Sequence, residues 1–495
     1  MFISLKDNQF SPAEWNDDLF GNYDKEKYEH ILEDFNGISL NDLHSDKWSD
    51  KKYLVFPGNV EKELNKKDNF IYKLDKRKRE KPAFQTGNIM GFFSLSDEIQ
   101  MRITSRFDDG KKNFFLHYML QKVCNVAFAP QTSSAEDELQ VFLYYLFPTY
   151  LRAACTQGIY RAYVTREYND ANVRGPIDVA RHIRYNIPFN GKIAYHTREY
   201  TTDNKVTQLV RHTIEFIQSL SLGSSVLGSS EDVRDDVNAI VAATQTYSRN
   251  SRQQIISQNL HPVTHPYYTA YESLRKLCIA ILQHKKISYG DSNDKNIRGI
   301  LFDGASLWEE YLAKVFEEYR FDLVHSNNRL GENGIYLFKN SKTMYFPDFY
   351  RKNPKNDFKN GDGIIIDAKY KRLFTKKNEE AEVDSSQDDE NENDVAKNGD
   401  RFRYNRDDLY QMLAYMHCLK ANKSYLVSPY QCNSESREVK VSPNPREAEG
   451  LGGTVSIIAI PIPAYNENVK WNEFREQMKK TEMEFIKKLR EKMGT

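Results

Sequence analysis

Two acids and a lysine within residues 345–370 are the side chains best suited to chemistry in this sequence. Pro347-Asp348 stands near one end of the stretch and Asp367-Ala368-Lys369 at the other, with Ile364-Ile365-Ile366 running directly into the second acid. If the isoleucine run is a β-strand, alternation turns Asp367 and Lys369 to one face and Ala368 to the other. Asp348 reaches the first face if its own segment pairs with that strand. Paired carboxylates hold a hard divalent cation, and an ammonium beside them can act on a water next to a phosphodiester.

Several elements must position these groups. Upstream, Leu307, Tyr311, Val315 and Phe316 follow helical spacing in a segment that begins near Asp303 or Ser306. Either Glu309 or Glu310 could reach back from that helix to the same cation. Downstream, Asp407-Asp408-Leu409-Tyr410-Gln411 opens a second helix, with Gln411 and Tyr415 one turn apart on one face. Ser424 to Val427 reads as a further strand. The order is therefore helix, strand, strand with D-x-K, helix, strand.

That order, with the spaced P-D…D-x-K, resembles the PD-(D/E)xK nuclease superfamily, and Gln411-x-x-x-Tyr415 looks like its RecB-type branch. A second signal lies in 158–208: Tyr163-Val164-Thr165-Arg166-Glu167, Asn172-Val173-Arg174-Gly175-Pro176-Ile177-Asp178-Val179, His182-Ile183-Arg184, Arg198-Glu199-Tyr200 and Asp203-Asn204. Together with Trp308-Glu309 these residues resemble the McrC family, the nuclease subunits of McrBC-type restriction systems, over roughly residues 85–460. The resemblance implies an α/β multidomain chain: an N-terminal β-hairpin or barrel-like part plus a helical region, then a PD-(D/E)xK nuclease domain of α/β/α type. It implies Mg²⁺ held by Asp348, Asp367, the carbonyl of Ala368 and Glu309. Lys369 would orient or deprotonate the attacking water, and Gln411 and Tyr415 would steady the DNA backbone and the active-site face. The partners implied are double-stranded DNA and an McrB-like AAA+ GTPase hexamer, whose GTP hydrolysis a McrC-like subunit stimulates. No G-x-x-x-x-G-K-[ST] loop occurs in the chain, so the nucleotide-driven step falls to that partner.

Composition agrees with a folded nucleic-acid enzyme. At 495 residues, with 31 Tyr and 28 Phe, the chain can build two or three substantial cores. No apolar run approaches membrane-spanning length, and the first residues lack a secretory apolar core, so the expectation is a soluble cytoplasmic protein. Cys124, Cys155, Cys278, Cys418 and Cys432 show no C-x-x-C pairing and read as reduced thiols, leaving metal chemistry to oxygen ligands. Lysine plus arginine equals aspartate plus glutamate at 70 each, yet ten of the acids fall within 378–400. That segment reads as a disordered, solvated insertion in a loop, and the rest of the chain is net basic.

The expected organisation is an N-terminal extension (1–80), a mixed β/helical partner-docking region (81–290), an endonuclease domain (291–465) carrying the 378–400 insertion, and a C-terminal helix (466–495). The extension ends in a basic run over 73–81, a solvated loop or a phosphate contact. Strands are expected at 89–95 and 98–103, and helices near 113–124, 137–155, 203–219, 232–247 and 267–285, with a hinge over 287–296. In the last helix Trp471, Phe474, Met478, Phe485 and Leu489 form a stripe that docks on the protein's own core. Two other readings share these motifs: a non-catalytic DNA-binding or regulatory adaptor of the motor, and a stand-alone RecB-type repair nuclease.

Overall fold

The computed structural model describes residues 2–12, 25–39, 42, 53–56, 70–75, 83–95, 99–108, 113–126, 135–283, 299–327, 331–340, 342–353, 363–376, 391–432, 437–450, 452–464 and 469–493. The expected hinge over 287–296, positions 76–81 of the basic run and positions 378–390 of the acidic segment lie mainly or wholly outside them. The chain is mixed α/β, with twelve α-helices and several sheets among the described residues. It forms two compact units, one from the described residues of 1–123 and 287–495, the other from those of 124–286. The sequence-based division placed 81–290 together, whereas contacts group 81–123 with the C-terminal half.

The first residues are part of that fold and no appended extension. Phe2–Lys6 pairs parallel with Gln100–Thr104 at one end of a five-stranded sheet that continues through Ile89–Ser94 and Gly299–Asp303 to Tyr53–Phe56. The expected hairpin of 89–95 and 98–103 lies inside this sheet, which among the described residues has two ends and no barrel closure. Gly91 pairs opposite Leu301 with φ of +144°, and a Cβ there would fall 2.0 Å from the carbonyl oxygen of Ile300. Only glycine tolerates both conditions. Gly91→Ala is expected to destabilise this unit by about 3 kcal/mol, read as a lower urea midpoint with an unchanged slope.

The larger sheet of the same unit carries the motif. Its order is Val324–His325, Phe349–Arg351, Ile364–Ala368, Lys423–Cys432, Thr454–Pro463 and Lys440–Val441, with Arg446–Glu447 also on Thr454–Pro463. The centre is parallel, 364–368 on 423–432 on 454–463, and the 349–351 strand joins antiparallel. Central parallel strands are buried on both faces, which is why Ile364, Ile365 and Ile366 are an unbroken apolar run, each at most 1% exposed.

The C-terminal helix, Trp471–Met493, buries Trp471, Phe474, Met478, Phe485 and Leu489, the stripe expected to dock on the protein's own core. It packs on Thr454–Pro463 and on the Phe114–Val123 helix.

One expectation needs correcting in this unit. Residues 391–400 are ordered, although the whole 378–400 segment reads as disordered from composition. Asn391–Val395 pairs antiparallel with Arg401–Asn405, and Gly399, at φ of +88°, closes the turn by donating to the Ala396 carbonyl. Asp394, 5% exposed, accepts from the Asn444 backbone at 3.2 Å and its side chain at 2.8 Å. Backbone pairing and these two donors offset the low apolar content that composition alone scores.

The other unit is, among its described residues, a helical cluster with one hairpin. Its helices include Ala135–Thr156, Lys205–Gln218, Glu231–Ala243 and Ala270–Gln283, close to the expected spans. Ala162–Asp170 pairs with Ile193–Thr201 over nine residues. The Arg174-Gly175-Pro176-Ile177-Asp178 segment closes against this hairpin: Pro176 accepts from His196 N, Asp178 N donates to Ala194, and Asp178 caps Val179–Asn186. Gly175 is required by contact, since a Cβ would meet the His196 carbonyl oxygen at 2.2 Å.

Candidate active site at the end of a parallel strand

The helix bearing the upstream acids starts where Asp303 accepts from Ala305 N at 3.0 Å and Ser306 N at 3.2 Å. This N-cap satisfies two donors of the first turn and sets the phase of Gly304–Glu318. Trp308 is fully buried and donates its indole N–H to the Val427 carbonyl at 3.2 Å, tying the helix to the central strand 423–432. Glu309, the next residue, accepts or shares a proton with His325 Nε2 at 3.0 Å. His325 in turn stacks on Phe349, ring centroids 4.8 Å apart. Glu309 is therefore turned toward the 324–325 and 349–351 strands.

Phe349 pairs with Ile366, so the register continued by one residue sets Asp348 opposite Asp367. There the ladder gives way to a side chain: Asp348 Oδ2 accepts from the Ala368 N–H at 2.6 Å. A residue's N–H and C=O leave the same edge of a strand, so the Ala368 carbonyl is directed to that edge too. The Lys369 N–H leaves the opposite edge and donates to Val427 at 2.8 Å. Asp367, 1% exposed, lies with its Oδ2 2.5 Å from Lys369 Nζ. Burial, then Asp367, then Glu309 push the Asp348 carboxyl well above the usual carboxylate range, against the pull of Lys369 and the Ala368 N–H. Like charges out of water resist simultaneous ionisation unless a cation joins them.

The second helix supplies the rest. Arg406–Leu419 begins at Asn405, whose side chain accepts from Asp407 N at 2.9 Å. One turn in, Gln411 Oε1 accepts from Lys369 Nζ at 3.0 Å, and Gln411 Nε2 donates to the Tyr415 hydroxyl at 3.2 Å. Burial pushes the Tyr415 phenol up to about 12, so it stays neutral. Burial opposes the Lys369 charge, but Asp367, Asp408 and Asp348 outweigh it and raise its pKa. Lys369 is thus an ammonium at neutral pH, a donor and a positive charge, while a base would have to be neutral.

All of Asp348, Asp367, Ala368, Lys369, Glu309 and Gln411 accordingly meet around one strand end. Among the described residues no three His, Cys, Asp or Glu side chains form a ready-made metal cage. The donors that could hold an ion are two carboxylates and a carbonyl, all hard oxygens. Such a partial set fits Mg²⁺, which keeps several waters and is bound through one or two carboxylates.

Sequence reasoning missed two partners here. His325 has no motif around it, and its role comes from the 324–325 strand lying beside Phe349. Asp408 was legible as a first-turn acid three residues before Gln411, a spacing that puts both on one side of the helix. Tyr370, which precedes the basic pair Lys371-Arg372, is 4% exposed. Its hydroxyl shares a hydrogen bond with Ser105 at 2.7 Å, its ring packs edge-on to Phe107, and its carbonyl accepts from Arg106. Arg106 is set by its own N–H, which donates to Asp7 Oδ1 at 2.6 Å. The N-terminal sheet therefore grips the chain immediately after Lys369.

Among known proteins, the profile of the McrBC 5-methylcytosine restriction system component family matches residues 84–429. No curated protein sequence matches the chain. One similar solved structure is a refined half-complex from the tetradecameric assembly of Thermococcus gammatolerans McrB AAA+ hexamers with bound McrC. Identity to it is 12%, covering 97% of this chain and 100% of that one, with a TM-score of 0.39. Another is the cryo-EM structure of the Thermococcus gammatolerans McrBC complex, at 12% identity, 66% and 90% coverage and a TM-score of 0.26. No helix among the described residues is long and apolar enough to cross a membrane. The family profile spans well over half of the sequence, and the chain belongs to the McrBC 5-methylcytosine restriction system component family.

Proposed function

We propose that this chain is the DNA-cleaving subunit of a GTP-dependent restriction system, hydrolysing phosphodiesters of double-stranded DNA with Mg²⁺ while docked on an McrB-like AAA+ GTPase hexamer whose GTP hydrolysis it stimulates. The observation that carries the reading is the meeting of Asp348 and Asp367 across two paired strands with Lys369 beside them. The order of elements around that pair also supports a PD-(D/E)xK domain. Asp348, Asp367 and the Ala368 carbonyl would hold the Mg²⁺, with Glu309 reaching it directly or through water. Bound there, Mg²⁺ supplies Lewis acidity at the scissile phosphate. Lys369, held as an ammonium, donates to the attacking water or to a phosphate oxygen and stabilises the negative charge that grows in the transition state. Gln411 fixes where that ammonium points, and Tyr415 fixes Gln411. Docking through the N-terminal half is supported by the 162–201 lobe, which leaves Tyr163, Ile183, Tyr185 and Phe189 more than half exposed.

The test is incubation of the purified chain with plasmid DNA and Mg²⁺, with and without its neighbouring GTPase and GTP, alongside Asp367→Ala. Cleavage that needs both subunits and disappears in the variant is the expected result. Cutting by the chain alone would favour a stand-alone repair nuclease. Stimulated GTP hydrolysis with no cutting of DNA restricted in cells would favour an adaptor.

A further inference from the structure

The Arg406–Leu419 helix brings against Lys369 an acid that the nuclease motif does not include. Asp408 Oδ1 lies 3.5 Å from Lys369 Nζ, and Asp408 Oδ2 lies 2.5 Å from Lys371 Nζ. Lys369 Nζ also has Asp367 Oδ2 at 2.5 Å and Gln411 Oε1 at 3.0 Å. An ammonium has three N–H donors; here Gln411 accepts one of them, and a carboxylate from each of two elements lies within ion-pair distance. Lysine sits on a flexible four-carbon stem and loses much rotamer freedom when ordered, so each acceptor already in place reduces what the reaction must order.

Asp408 is 6% exposed, and helix electrostatics do not require that burial. Asp407, exposed in the same first turn, already places a negative charge at the helix N-terminus without a desolvation cost. Burying a second acid there is costly unless it is paired, and its partners are the two lysines that follow Asp367. We propose that Asp408 is a positioning residue of the nuclease site, holding the Lys369 ammonium beside Asp367 and tethering Lys371 on its other oxygen. The assignment of a reaction to this site rests on the function proposed above; the tether itself is a property of the free chain.

The experiment uses the full chain with Asp408→Ala and Asp408→Asn. Native protein is treated with an amine-acetylating reagent, and modification of each lysine is followed by peptide mass spectrometry. Lys122, half-buried and paired with Glu482 at 2.9 Å, reports on the fold. Loss of the Asp408 ion-pair partner should raise the Lys369 rate about tenfold in Asp408→Ala. Asp408→Asn, whose amide oxygen still accepts, should raise it less, and Lys122 should not change. With saturating DNA and the partner GTPase, single-turnover cleavage should fall about tenfold or more while the half-saturating DNA concentration stays constant. Unchanged Lys369 reactivity in Asp408→Ala overturns the proposal, as does a parallel rise at Lys122, which would mark a merely structural role. Failure of the nuclease reading looks different: wild-type protein that never cleaves, or Asp367→Asn protein that does, while the acetylation rates still decide the tether.

Discussion

Asp348→Asn and Asp367→Asn are each expected to lower DNA cleavage by about 10³-fold or more, because on the proposed mechanism each removes a charged ligand worth several kcal/mol in the transition state. Asparagine is the informative replacement. At position 348 it keeps an oxygen to accept the Ala368 N–H, and at 367 an oxygen beside Lys369 Nζ. Alanine would instead leave the Ala368 N–H without its acceptor at 348, and at 367 would remove a carboxylate from beside Lys369 Nζ. The stability readout separates a catalytic role from a structural one. Asp348 is half-buried beside Asp367 and Glu309, and that surrounding disfavours its charged form. In the absence of divalent ions Asp348→Asn should therefore be at least as stable as the wild type in urea. A structural carboxylate would lose stability on the same change. A variant that unfolds, or one that still cuts, would sink the assignment of Asp348.

The largest expected stability loss lies away from the site, at Glu482. This side chain is 1% exposed. Its Oε1 accepts from Tyr118 at 2.9 Å and Tyr311 at 2.8 Å, and its Oε2 pairs with Lys122 at 2.9 Å. Three helices meet on one carboxylate: Phe114–Val123, Gly304–Glu318 and Trp471–Met493. Both phenols are pushed well above their ordinary range by burial first and by Glu482 second, so they remain neutral donors. Glu482→Ala leaves two buried hydroxyls without their acceptor, and Lys122 loses this partner while keeping Glu318. Breaking a buried charged network in this way costs about 3–5 kcal/mol. The expected result is a melting temperature lower by roughly 5–10 °C. Glu482→Gln, which retains one acceptor, should fall between. Since Gly304–Glu318 also carries Trp308 and Glu309, Glu482→Ala should lower cleavage as temperature rises, well before Glu482→Gln does.

How much of this was legible beforehand follows from what local patterns can encode. The D-x-K strand, the helices on either side of it, the Gln411–Tyr415 spacing and the apolar stripe of the last helix are set by residues close in the chain. Alternation and helical periodicity expose such residues directly. The stripe shows the limit as well. Its five apolar members were visible, while Glu482 on the same buried side was not, because a glutamate carries no mark of burial until its partners are known.

What the sequence by itself determined was the chemistry on offer: two carboxylates and a lysine on one strand system, an upstream Glu309, and a family resemblance that the profile match bears out. The tertiary structure alone decided how those groups are held. The pairing of Phe349 with Ile366 brings Asp348 to Asp367. His325 comes to Glu309, and Asp408 to Lys369 and Lys371. Arg106, more than 260 residues upstream, takes the Tyr370 carbonyl. These are contacts between segments far apart in sequence, whose side chains have no periodic relation to one another. Their geometry is fixed by strand register, by helix caps such as Asp303 and Asn405, and by burial, and those become definite only when the whole unit packs.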